Sequence, residues 1–150
     1  METKIGRLAD APRSSWTPTI KPDLFAGAHE ARLARSLGIT QFGVNHTTLE
    51  PGSISSLRHW HEGEDEFVYI LSGELTLIDE NGAHPLNAGD FAAFPAGVAN
   101  AHHLANRSSA AASFLSIGAR KRGEETIHYP DDDFGPATVV RDDNGDRVTS

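Results

Sequence analysis

Short runs of β-forming residues separated by turn residues are the feature that most constrains how this chain can fold. The runs follow one another from residue 41 to residue 119, with Gly, Pro, Asn or Asp between most neighbours. Short strands at near-regular spacing predict an all-β sandwich or barrel. The predicted strands cover residues 41–49, 56–61, 66–71, 74–79, 84–86, 91–94, 102–106 and 112–119.

The run at 66–71 indicates which side chains face the interior. Successive side chains of a strand alternate between its two faces, so Glu66, Val68 and Ile70 lie on one face. If that face points into a barrel, the sequence predicts an acid at the mouth of an apolar interior. Other side chains predicted to be buried are Phe91, Phe94, Leu104 and Phe114.

The two ends of the chain lack this pattern. Residues 1–38 carry scattered prolines and no sustained period, which predicts an irregular N-terminal arm. Within the arm, 29–37 fits either a short helix or an alternating strand. Residues 39–120 are predicted to form the barrel. Residues 121–150 are polar and rich in Asp, which predicts a C-terminal tail.

Composition restricts the function classes. The chain has no cysteine, so any metal must be held by nitrogen and oxygen ligands. With 13 basic and 21 acidic residues it has no basic patch for nucleic acid. It also lacks an apolar run of the about 20 residues that a membrane span needs. We therefore expect a cytoplasmic protein with a small-molecule ligand, and neither a nucleic-acid nor a membrane partner.

Three residues in the middle of the chain have the spacing of metal ligands. His59 and His61 stand two residues apart, which in a strand puts both imidazoles on one face, about 6.5 to 7 Å apart. Glu66 follows a short turn and begins the next predicted strand. Two histidines and one carboxylate are typical of non-haem iron and of related Mn, Ni or Zn sites. The alternative is a polar surface strand followed by a solvated acidic turn.

A fourth candidate ligand lies in the predicted strand at 102–106. There His102 and Leu104 point to one side and His103 points to the other. Only one of the paired histidines can face the pocket, and strand alternation alone leaves open which one.

These residues closely resemble the two sequence motifs of the cupin superfamily. The first motif is represented by Gly52, His59, His61, Glu66 and Gly73. The second is represented by Gly89, Pro95, Gly97, His102 and Asn106. There are two departures from the family pattern. Six residues instead of five separate Gly52 from His59, and four instead of two separate Gly97 from His102. The assignment of His102 over His103 depends on the three-residue step to Asn106.

The resemblance covers residues 41 to 119 and carries several implications. It implies a double-stranded β-helix, or jelly-roll barrel, and assigns the binding of one divalent ion (Fe, Mn, Ni or Zn) to the residues that match the family's ligands: His59, His61, Glu66 and His102. It further implies a homodimer. The four motif glycines are expected to form tight turns with positive φ, and Asn106 to be structural.

Two functions remain open at this point. One is a metal-dependent enzyme acting on a small oxygenated substrate as a dioxygenase, isomerase or lyase, with Glu66 as a ligand or, if released, as a general base. The other is a non-catalytic cupin that binds or senses a small molecule. This fold hosts many chemistries, so the fold alone does not decide between them.

Overall fold

The computed structural model describes residues 2–14, 22–132 and 135–148 of the 150-residue chain. It confirms the all-β fold class. Three short helical segments precede or interrupt the first strands: a 3-10 helix at Leu8–Asp10, α1 at Pro22–Phe25 and α2 at Leu33–Ser36. None of the helices in the described part of the chain has the length and apolar character required to cross a membrane.

The strands follow the predicted runs and add several at both ends. They are β1 Ala28–Arg32, β2 Phe42–Leu49, β3 Trp60–His61, β4 Glu66–Ser72, β5 Glu74–Asp79, β6 Gly82–Asn87, β7 Phe91–Phe94, β8 His103–Ala105, β9 Ala112–Ala119, β10 Gly123–His128, β11 Ala137–Arg141 and β12 Arg147–Val148.

These strands form three antiparallel sheets. A five-stranded sheet has the order β1-β2-β9-β4-β7, and a three-stranded sheet has the order β6-β5-β8. The third sheet, β12-β11-β10-β3, is called the C-terminal sheet below. It joins the last strands of the chain to the short strand that contains His61.

The core fills the space between the five-stranded and three-stranded sheets. Val68 and Ile70 of β4 pack with side chains from both sheets, as the alternation of 66–71 predicts. The cluster consists of Leu49, Val68, Ile70, Leu75, Leu77, Leu104, Ala112 and Phe114. Phe91, in contrast, was predicted to be buried and is 64% exposed. It stacks on Phe67 and Tyr69 at the outer face of the sheet, since one strand has room for only alternate side chains inside.

Tight turns join the strands where the motif glycines stand. Gly52, Gly73, Gly89 and Gly97 all have positive φ, as expected. At Gly73 the constraint is also steric, because a Cβ there would lie 2.8 Å from the Cβ of Ala112. This glycine lets β4 turn directly into β5 beside β9.

The ends of the chain contain more structure than the sequence predicted. The segment 29–37 is both a strand and a helical turn, because β1 pairs with β2 up to Arg32 and α2 begins at Leu33. The expected tail contains β10, β11 and β12, and Ile127 of β10 pairs with His61. Of the arm and tail, residues 1, 15–21, 133–134 and 149–150 lie outside the described residues.

The buried side chain of Asn106 stabilises the fold through its hydrogen bonds to the backbone. The side chain is 1% exposed, and its amide donates to the carbonyls of Leu49 (2.8 Å) and Ala110 (2.9 Å). Its Oδ1 accepts from the backbone N–H of Ser108 (3.0 Å). Substitution with alanine removes these three hydrogen bonds, of which the one to the Leu49 carbonyl is buried, so N106A should lower the free energy of unfolding by about 2 kcal/mol.

Urea denaturation monitored by fluorescence measures this loss. The matched control is N87A, since Asn87 is an exposed asparagine in β6. We expect the control to unfold within about 0.5 kcal/mol of the wild type. Equal unfolding midpoints for the two variants would contradict a structural role for Asn106.

Candidate functional site

Four predicted side chains meet at one end of the barrel. His61 ends β3, and Glu66 begins β4. The backbones of His59 and His102 exchange two hydrogen bonds, from His59 N to His102 O (3.2 Å) and from His102 N to His59 O (3.0 Å). This pairing aligns the segments of the two motifs across the barrel mouth. His59, His61, Glu66 and His102 are called the histidine–glutamate cluster below.

The extra residues before His102 form a loop that preserves this alignment. Asn100 accepts a hydrogen bond from the backbone N–H of Glu80 (3.0 Å) and donates to Asp79 (3.3 Å). Anchored in this way, the loop leaves His102 opposite His59. His103 lies outside the cluster, and its Nδ1 donates to the backbone carbonyl of Ser56 (2.8 Å). The structure therefore brings His102, and not His103, together with Glu66.

All three imidazoles of the cluster converge on a single oxygen. The Nε2 atom of His102 lies 3.0 Å from Glu66 Oε1. The Nε2 atoms of His59 and His61 each lie 3.4 Å from the same oxygen. The three rings are half-buried or buried. This end of the barrel therefore holds four side chains that could act as metal ligands, in a space partly shielded from water.

The opposite ring nitrogens fix the tautomers. His59 Nδ1 donates to the carbonyl of Leu57 (2.8 Å), and His102 Nδ1 donates to the carbonyl of Asn100 (2.9 Å). His61 Nδ1 donates to Glu125 Oε1 (3.0 Å). A neutral imidazole has only one N–H, so a proton on Nδ1 leaves a lone pair on Nε2. In their neutral forms, the three rings therefore direct Nε2 lone pairs at Glu66.

The pKa values of His61, Glu66 and His59 indicate the charges that these side chains carry in the cluster. Burial lowers the pKa of His61 to about 4, so its imidazole is neutral at pH 7. Burial opposes ionisation of Glu66, but the contacts with His102 and His59, whose Nε2 atoms donate when these rings are protonated, outweigh burial and hold its pKa far below the ordinary value. Burial also lowers the pKa of His59, while the contact with Glu66 raises it by more. The contact with Glu66 therefore favours the protonated form of His59.

A divalent ion satisfies the same electrostatic requirement with all four groups at once. His59, His61 and Glu66 can each offer one ligand atom, with these atoms within 4.8 Å of one another. Neighbouring ligands of an ion held at about 2.1 Å lie about 3 Å apart in octahedral geometry, close to the separations from Glu66 Oε1. Imidazole and carboxylate ligands suit Fe, Mn, Ni and Zn. The residues present fit such an ion.

Sequence reasoning missed a buried charged group behind His61. Glu64 and Glu125 are 2% and 6% exposed. Arg141 donates to both carboxylate oxygens of Glu64, at 2.7 and 3.0 Å. Glu125 Oε1 accepts from His61 and also from the backbone N–H of Gly63 (3.3 Å). Burial and the neighbouring Glu64 raise the pKa of Glu125 to about 8.

The contacts of this buried group are those of a support for the cluster rather than of a second metal centre. His61, Glu64 and Glu125 also bring ligand atoms close together. However, the guanidinium of Arg141 already neutralises Glu64, and the His61 nitrogen on this side is the protonated Nδ1. A carboxyl group that accepts the remote N–H of a metal-binding histidine orients the ring and fixes its tautomer. Glu125 has the position for that role.

Aromatic rings hold two other members of the cluster in place. Phe94 stacks on His102, with ring centroids 3.5 Å apart and planes inclined by 6°. The ring of Tyr129 lies 5.9 Å from that of His59. Phe94 was predicted as core, and its half-buried ring contributes to the wall of the site as well as to the core.

Comparisons with known proteins agree with this geometry. A family model described as a cupin domain matches residues 45–118. A solved structure from Silicibacter pomeroyi, described as a sugar phosphate isomerase from a cupin superfamily, is 40% identical. The match covers 92% of this chain and 93% of that one, with a TM-score of 0.77. A comparison with curated protein sequences found no match to this chain.

Two further solved structures extend the comparison. A putative sugar phosphate isomerase from Acidithiobacillus ferrooxidans is 31% identical over 83% of this chain and 78% of its own, with a TM-score of 0.68. A predicted oxalate decarboxylase from Thermotoga maritima is 24% identical over 77% of this chain and 98% of its own, with a TM-score of 0.63. At that identity the latter shows a shared fold and no more.

The contact between His61 and Glu125 predicts a tautomer that can be measured. In metal-free protein at pH 7, the His61 proton should reside on Nδ1. The variant E125M removes the acceptor, so the form with the proton on Nε2 should gain population by donating to Glu66. The ¹⁵N chemical shifts of the His61 ring distinguish the two forms.

Glu124 provides the matched control for this experiment. It is the neighbouring residue of β10 and is exposed, so E124M should leave the His61 tautomer unchanged. A His61 ring with the same nitrogen shifts in wild type, E124M and E125M would show that Glu125 does not set the tautomer.

Proposed function

The chain belongs to the cupin superfamily, and from the geometry of its histidine–glutamate cluster we propose that it is a metal-dependent enzyme acting on a small oxygenated molecule. Three imidazole nitrogens and one carboxylate bind a single divalent ion at the barrel mouth. The observation that carries this proposal is the convergence of three Nε2 atoms on Glu66 Oε1, at 3.0, 3.4 and 3.4 Å.

The protein residues divide the work at this site. His59, His61 and His102 hold the ion through neutral nitrogens, and Glu66 supplies the charged ligand. The ion, when bound, acts as a Lewis acid on an oxygen of the substrate or, if it is iron, as a redox centre. Four protein ligands would leave room at the ion for water or a substrate oxygen.

The shape of the cavity supports a small substrate. The cluster lines a cavity of about 740 Å³. Its inner wall is apolar and includes Val68, Leu104 and Phe114, all of which are also part of the core. Polar groups at the mouth and apolar groups below suit a molecule that presents its oxygens to the ion and its carbon skeleton to the barrel.

Isomerisation is the reaction type that the relatives favour among the three considered. The solved structures from Silicibacter pomeroyi and Acidithiobacillus ferrooxidans are described as sugar phosphate isomerases, the second as putative. Isomerisation requires a base near the ion, and Glu66 is the carboxylate at that position. Glu66, when not holding the ion, would be the carboxylate that could move a proton on the substrate.

Metal analysis of histidine variants tests the metal-binding part of the proposal. Wild-type protein should contain about one divalent ion per chain. H61A and H102A each remove one ligand and should lose at least about tenfold in metal affinity, since even a group that only supports a ligand contributes that much. Elemental analysis and titration calorimetry measure this loss.

His84 offers a control of the same chemistry outside the cluster. Its side chain is 45% exposed, and its Nε2 lies 3.0 Å from Asp79 Oδ1. H84A should therefore bind metal like the wild type. Equal metal affinity in H61A, H102A and H84A would reject the site.

Metal-loaded protein should also convert at least one member of a panel of sugar phosphates, keto acids and catechols. Product chromatography and oxygen uptake measure this conversion. Saturable binding without turnover would instead favour the non-catalytic cupin.

A further inference from the structure

The inner face of the C-terminal sheet presents charged residues to the site. Residues directly opposite each other in antiparallel strands have side chains on the same face. Arg147 of β12 is opposite Arg141 of β11, and Arg141 is opposite Gly123 of β10. Two and four residues further along β10 are Glu125 and Ile127, and Ile127 is opposite His61 of β3. Arg147 therefore lies on the same face of this sheet as Glu125 and His61.

Arg147 also lines the cavity that contains the histidine–glutamate cluster. Four other arginines line this cavity, and each has a carboxylate partner. The pairs are Arg32 with Glu30, Arg35 with Asp146, Arg120 with Asp146, and Arg141 with Glu64. Within residues 2–14, 22–132 and 135–148, Arg147 has no ion pair and no side-chain hydrogen bond. Its exposed guanidinium is thus available to a ligand in the cavity.

We propose that Arg147 binds an anionic group, a carboxylate or a phosphate, of the small molecule that occupies this cavity. The guanidinium forms two parallel hydrogen bonds to such a group, which adds orientation to charge. A second oxygen of the same molecule then lies at the histidine–glutamate cluster. This inference rests on the proposed function of the cavity as a substrate site, and it narrows the substrate class to small anions.

Anion binding by the metal-loaded protein tests this role. Inorganic phosphate and acetate are titrated separately into wild type and R147Q by calorimetry, at constant ionic strength. At least one of the two anions should bind to the wild type, and its affinity should fall at least about tenfold in R147Q. The anion affected identifies the group as a phosphate or a carboxylate. R147K should retain part of the affinity, because it keeps the charge and loses the paired hydrogen bonds.

Arg122 is the matched control. Its side chain is 74% exposed, pairs with Asp143 and does not line the cavity, so R122Q should bind both anions like the wild type. The proposal is overturned if neither anion binds to the metal-loaded wild type, or if R147Q binds as tightly as R122Q. Metal content is measured on the same samples. A wild type without metal would count against the metal centre, whereas Arg147-dependent anion binding would still support this inference.

Discussion

The structure of the site depends on an accumulation of hydrogen-bond acceptors that only a positive charge can balance. Three imidazoles donate their single proton away from the centre, to Leu57, Asn100 and Glu125. Their lone pairs then meet a carboxylate whose pKa lies far below the ordinary value. Unpaired acceptors in a shielded space are costly. A divalent ion removes this cost for all four side chains together, whereas a proton on His59 serves only one contact.

The barrel supplies the geometry for this accumulation through two separate sets of contacts. Backbone pairing of His59 with His102 brings the two motifs together, and the start of β4 adds Glu66. Three strands of the C-terminal sheet, β10, β11 and β12, lie outside the matched family region at 45–118 and pack beside the site through β3. They supply Glu125 behind His61, and Arg141 to neutralise the neighbouring Glu64. This sheet is therefore part of the site as well as of the fold.

The sequence predicted which side chains meet at the barrel mouth because these residues lie at fixed intervals in extended segments. A period of two puts His59 and His61 on one side, and the step to Asn106 separates His102 from His103. The wall behind His61 was not predictable in the same way. The polar pattern of residues 121–150 predicts a tail, because the buried positions of β10 and β11 include Glu125 and Arg141, which an apolar pattern does not reveal. Such charges are buried because each finds its partner far away in the chain, as Arg141 does with Glu64.

The most direct test of the central claim is the position of a bound metal ion in crystals of the metal-loaded protein, located by anomalous scattering. The account predicts one strong peak within about 2.3 Å of Nε2 of His59, His61 and His102 and of a carboxylate oxygen of Glu66. A peak between Glu64 and Glu125, or crystals grown with excess metal that show no peak at the barrel mouth, would contradict it.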